Sequence, residues 1–127
     1  MIEDWIKVRH LLIPAIELMG GTHTEDDIVT GLMIGISNVN APNALKLWLA
    51  RSEKAAIVTG FLNYPRLKFL HWWLAGGEMS EILAMERPIT EWARSQGCRK
   101  ASIDGRKGWE RVLTEYQPKF SVLHRDL

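Results

Sequence analysis

Apolar residues recur every three or four positions at Trp5, Val8, Leu12, Ala15, Ile16 and Met19, which predicts an amphipathic helix. Asp4 is its expected N-cap, Pro14 its expected kink and Gly20-Gly21 its stop. Thr22-His23-Thr24-Glu25-Asp26-Asp27 then holds two overlapping capping-box patterns, Thr22 with Glu25 and Thr24 with Asp27. A second helix is expected from Glu25 to Met33, followed by a loop from Gly35 to Asn43 that carries Pro42 and three asparagines. Near Ala44 the period changes to two. Leu45, Leu47 and Leu49 alternate with other residues in a strand from Ala44 to Ala50, and Arg51-Ser52-Glu53-Lys54 is a polar turn. A second strand of small and β-branched residues runs from Ala55 to Leu62, and Asn63-Tyr64-Pro65-Arg66 is a turn. A third strand runs from Leu67 to Leu74, with Trp72 and Trp73 on opposite faces. Short turns between the three predict an antiparallel meander.

Gly76-Gly77 reads as the end of the meander. Ile82, Met85, Ile89, Trp92 and Ala93 share one face of a helix expected from Met79 to Gln96, kinked at Pro88 and stopped by Gly97. A short strand from Lys100 to Asp104 follows, with Ala101 and Ile103 facing the same way. A helix from Gly108 to Tyr116 turns Trp109, Val112 and Leu113 inward; Pro118 ends it, and Phe120 to Asp126 reads as a last strand. The long helix before Lys100–Asp104 is a sufficient crossover to make that strand a parallel neighbour of Leu67–Leu74. The pattern is therefore α+β with a five-stranded sheet. Residues 1–43 form a helical N-terminal part and residues 44–127 hold the sheet and late helices. Trp92 and Trp109 are expected to lock the late helices onto the sheet.

At 127 residues the chain fits one domain. It is 46% hydrophobic and 24% charged, which is ordinary for a globular protein, and its net charge of +1 gives no drive toward nucleic acid or anionic membrane. Met1 to Gly35 holds six acids and two bases, and Arg99 to Leu127 holds seven bases and four acids, so the head is acidic and the tail mildly basic. The basic run Arg99, Lys100, Arg106, Lys107 and Arg111 reads as a solvated face rather than a phosphate-binding one. No apolar run reaches the roughly 20 residues that cross a bilayer, and the acidic start Glu3-Asp4 is unlike a secretory leader. With Cys98 as the lone cysteine no internal disulfide forms, and a reducing compartment is expected.

Little in the chain spells out chemistry. His10, His23, His71 and His124 are isolated, so no metal site is expected. Neither a nucleophile elbow nor a Rossmann or Walker glycine spacing is present. Cys98 beside Arg99 and Lys100 reads as a small buried residue at a helix-to-strand join. Leu74-Ala75-Gly76-Gly77-Glu78-Met79 is the one site-like stretch: a strand end, two glycines and a helix start, where backbone amides can cradle a phosphate, although Glu78 would repel an anion and no Arg or Lys flanks it. The preferred reading is a glycine turn that starts the helix tightly against the sheet.

Several strings carry a resemblance. Ala55-Ala56-Ile57-Val58-Thr59, Tyr64-Pro65-Arg66, Leu74-Ala75-Gly76-Gly77, Trp92-Ala93, Gly97-Cys98 and Gly105-Arg106-Lys107-Gly108-Trp109 together resemble a small bacteriophage-encoded group related to the GNAT superfamily of N-acetyltransferases. The resemblance implies a mixed, twisted five-stranded sheet, an antiparallel meander plus a splayed parallel pair, with helices on both faces. It also implies that acetyl-CoA, if bound, sits at Ala75, Gly76 and Gly77. The acidic tyrosine of that superfamily falls near Val112 or Leu113, neither of which donates a proton; Tyr116 lies nearby, and His71 or Glu78 would serve as base. With the acid and the phosphate loop degraded, the implied function is a phage accessory or virion-associated protein that uses the scaffold to bind a phage structural or host protein. It would be found in host cytoplasm or virion, with no cofactor. The alternative is an acyl-CoA-dependent N-acetyltransferase acting on a protein or small-molecule amine.

Overall fold

A computed structural model describes residues 2–104 and 108–127. The expected Gly105-Arg106-Lys107 part of the glycine-tryptophan motif, and the Arg106 and Lys107 part of the basic run, lie outside the described residues. The elements in order are α1 (Ile2–Glu17), α2 (Glu25–Ser37), β1 (Leu45–Leu49), β2 (Ala55–Asn63), β3 (Lys68–Gly77), α3 (Met79–Ser95), β4 (Lys100–Ile103) and α4 (Gly108–Val112). The sheet has four strands in the order β1-β2-β3-β4. β1–β2 and β2–β3 are antiparallel. β3–β4 is parallel, with Phe69 opposite Lys100 and His71 opposite Ser102. The expected α+β class, the meander and the parallel pair are thus present.

Each face of the sheet carries its own core. On one, Trp5, Val8, Leu12 and Ile16 of α1 and Ile28 and Leu32 of α2 meet Ala56, Val58 and Leu74. On the other, Ile82, Ile89 and Ala93 of α3 meet Ile57, Leu70, Trp72 and Cys98. Burial on both sides explains why β2 is an unbroken run of apolar and small residues from Ala55 to Gly60 rather than an alternating one. β3 carries a bulge: Thr59 pairs with Trp72 and Val58 with Leu74, which leaves Trp73 as the extra residue. The bulge resets the alternation, so Trp73 and Leu74 both pack toward α1 and α2 while Trp72 faces α3.

Local signals explain most element ends. Thr24 caps α2 in a reciprocal box with Asp27, whose carboxylate is held below the usual range by the Thr24 backbone N–H and hydroxyl. The second expected box does not form, because Glu25 is engaged elsewhere. Its carboxylate accepts from Arg9 Nη2 and Nε (2.7 and 2.8 Å) and from Trp5 Nε1 (2.8 Å), which ties α2 to α1 and lowers its pKa to about 2. Gly97, at φ +91°, ends α3 in a Schellman arrangement, with Cys98 N–H on Ala93 O and Gly97 N–H on Arg94 O.

Five expectations are corrected. α1 begins at Ile2, so Asp4 lies in the first turn rather than at the cap. α2 runs four residues past Met33, because Gly35 fits against β1: a Cβ there would strike the Leu45 carbonyl. Gly76 and Gly77 belong to β3 rather than to a turn, since both pair with β2. α4 stops at Val112 instead of Tyr116. The last strand, Phe120–Asp126, is absent, and residues 117–127 are irregular and exposed, so the sheet has four strands, not five. An alternating apolar pattern makes a strand only where an edge is there to pair with it. Trp92 and Trp109 do pack on the second core but are half-buried; Trp72 is the tryptophan at its centre.

Candidate functional site

The three residues singled out for acid–base work do not converge. His71 points from β3 toward the α1–α2 side, where its ring meets Trp73 edge-on at 4.6 Å and Trp73 in turn meets His23 at 5.4 Å. Glu78 is an exposed residue at the start of α3, its N–H donating to Lys54 O. Tyr116 is on the opposite side of the sheet from His71, donating its hydroxyl to Glu86 of α3 at 2.9 Å. Burial and the Glu86 carboxylate push the Tyr116 phenol far above its ordinary value, which suits an anchor rather than a proton donor. Cys98 is buried, and burial raises its thiol pKa as well, so it is a core residue and no nucleophile.

The glycine stretch is equally closed. Ala75, Gly76 and Gly77 lie opposite Ile57, Ala56 and Ala55 in the β2–β3 ladder. The space a Cβ would take on Gly76 is filled by the Leu11 carbonyl of α1, and on Gly77 by the Lys54 carbonyl. The two glycines are there so that the chain itself comes close, and they leave no open cradle for a phosphate. Among the described residues no group of three or more His, Cys, Asp or Glu side chains is placed to hold a metal ion.

His71 does gather two polar partners that sequence reading missed. Its Nδ1 lies 2.7 Å from Ser102 Oγ, directly across the parallel pair, and its Nε2 lies 3.6 Å from the exposed Asp104 carboxylate. The second distance is too long for a hydrogen bond. Nothing in the sequence signals the trio, because only the β3–β4 register brings residues 31 and 33 positions apart together. With 3% of its surface exposed, His71 is held below its ordinary value near 6.5 by burial, against the opposing pull of Asp104. The folded chain therefore binds fewer protons than the unfolded chain below that value. Stability is expected to fall as pH drops through 6.5 toward the depressed folded pKa. His71→Gln, which keeps a partner for Ser102, is expected to flatten the urea midpoint measured between about pH 7.5 and about pH 5.5. An unchanged slope would refute the assignment.

A larger accessible feature lies at the other end of the sheet. β1 pairs only with β2, so its outer side is an edge. Ala50 N–H bonds Ala55 O, and the antiparallel alternation then turns the N–H and C=O of Leu47 and Leu49 outward. Both helical layers overhang that edge. Leu32, Ile36 and Val39 line one side, Trp92 and Gln96 the other, and β1 with Lys46 is the floor of a groove of about 470 Å³ that Asp4 of α1 also lines. Trp92 is held upright by Phe61, stacked at 5.4 Å, and by Trp48, edge-on at 5.1 Å, with Lys46 Nζ over both Trp48 and Trp92. The Trp48 indole is fixed in turn by Thr59 Oγ1 at 2.9 Å. Periodicity shows Trp92 and β1 separately. Which strand is the edge, and what flanks it, is a matter of sheet order.

No protein-family model, no curated protein and no solved structure matches the chain. Among the described residues no helix is long and apolar enough to cross a membrane.

Proposed function

We propose that this protein is a binding module that accepts an extended protein segment along the β1 edge. The groove carries this reading: an unpaired strand edge offers backbone donors and acceptors, and a lining that mixes the apolar Leu32, Ile36 and Trp92 with Asp4, Lys46 and Gln96 selects side chains. The order of elements and the parallel β3–β4 pair are compatible with a GNAT-like scaffold used without its chemistry, as in a phage accessory or virion-associated protein of host cytoplasm or particle. Acetyl transfer from acetyl-CoA to an amine is the alternative, favoured by the hydrogen-bonded neutral His71 beside the parallel pair. Against it stand the filled space at Gly76 and Gly77 and the engagement of Tyr116 by Glu86. Calorimetry with acetyl-CoA and a thiol-release assay are expected to show neither binding nor turnover. Peptides selected by display on the immobilised protein are expected to be extended and apolar, and to lose binding at least tenfold to Ile36→Glu. Micromolar acetyl-CoA binding with turnover would replace the binding module by the enzyme.

A further inference from the structure

Resting on the groove reading, we infer that the occupant of the β1 edge is the C-terminal tail of a second copy of this chain. The tail is, among the described residues, a segment with apolar side chains that the fold leaves unused. Among the described residues, the backbone hydrogen bond from Tyr116 N–H to Leu113 O is the last in the chain, and residues 117–127 join no element. Yet Phe120 is 93% exposed and Leu123 92%, with Val122 and Leu127 also in solvent. Single exposed apolar residues need no explanation, but four within eight positions on an irregular segment that pairs with no strand are an unburied apolar cluster.

Tail and groove match in kind. Leu32, Ile36 and Val39 on one side of the groove and Trp92 on the other are apolar, with Asp4, Lys46 and Gln96 the polar residues of the lining, so a strand laid in it meets apolar side chains on both of its faces. In an extended Phe120-Ser121-Val122-Leu123, Phe120 and Val122 point to one wall and Leu123 to the other, while the backbone meets the outward groups of Leu47 and Leu49. Beyond this stretch, Arg125 and Asp126 continue toward solvent.

The geometry favours another copy over the same one. Tyr116 fixes the root of the tail to Glu86. Along α3, Glu86 and Trp92 stand three residues either side of the buried Ile89, which at about 100° per residue puts them on opposite flanks of the helix. The tail therefore leaves on the flank away from Trp92, and α3 stands between it and its own β1 edge. A neighbouring molecule meets no such barrier. Exchange between two copies gives a closed dimer if reciprocal and a chain of molecules if not.

Light scattering across protein concentrations tests this with the full chain and three full-length variants: Ile36→Glu in the groove wall, and Phe120→Glu and Leu123→Glu in the tail. Ile36 is 64% exposed in the single chain, as the two tail residues are still more, so none of the three should disturb folding. The native chain is expected to self-associate and each variant to be monomeric, with circular dichroism unchanged. A synthetic peptide of residues 117–127 is expected to bind the Leu123→Glu chain, and to bind a chain carrying Leu123→Glu and Ile36→Glu at least tenfold more weakly. A native chain that stays monomeric and a peptide that does not bind would overturn the inference, as would an oligomer that survives the tail variants. If display-selected peptides still bind in an Ile36-dependent way, the groove stands and only self-recognition falls. If they too fail, the groove reading falls with it.

Discussion

Trp72→Ala is expected to lower stability by about 3–5 kcal/mol, the largest loss for any single side chain in the sheet. Trp72 is 1% exposed and is the bulkiest of the fully buried residues, standing on β3 where α3 crosses. Truncation would remove its share of the second core and leave a cavity between Ile57, Leu70 and Ile89 that neighbours fixed in helix and sheet close only in part. The same residue gives a sharper test. Its indole Nε1 finds no acceptor among the described residues, so the native chain already bears a desolvation penalty of about 1–3 kcal/mol there. Trp72→Phe removes the unpaired N–H with only part of the volume and is expected to lose far less than Trp72→Ala. Urea midpoints for the two variants decide it. Equal losses would mean that the indole N–H is satisfied in solution.

Gly76→Ala is expected to lower stability by about 2–3 kcal/mol despite adding a single methyl group. The new Cβ would overlap the Leu11 carbonyl of α1, and a backbone carbonyl inside a helix cannot swing aside as a side-chain end can. Either α1 lifts from the sheet, loosening Leu12, Val8 and Trp5 together, or β3 bends away from β2. Gly108→Ala is the control. A Cβ on Gly108 meets nothing within 4 Å, and alanine favours the helix that begins there, so no loss is expected. If Gly76→Ala matched the control, α1 would not be seated on the sheet as described.

Much of the architecture is written in local pattern. Spacings of three and four place α1 and α3, alternation places β1, and the change of period at Ala44 marks where helices give way to the sheet. The Thr24–Asp27 box and the Gly97 stop are legible because a cap needs only residues within a few positions of it. The parallel β3–β4 pair also follows from sequence, since the helix between the two strands is long enough for the crossover.

What the sequence left open is whatever depends on residues distant in the chain. Gly76-Gly77 carries the usual signal of a turn, yet it continues β3, because α1 and the Lys54 turn press so close that no side chain fits. Phe120 to Asp126 carries the signal of a strand, yet it pairs with none of the described residues, because a strand is made by its partner and not by its own alternation. His71, Ser102 and Asp104 come together only through strand register. The groove exists only because β1 is left at the edge with α2 on one side and Trp92 on the other. Local propensity and hydrophobic period act over a few residues and are readable there. Sheet order, close backbone approach and the walls of a groove arise from packing between segments, and tertiary structure alone decides them.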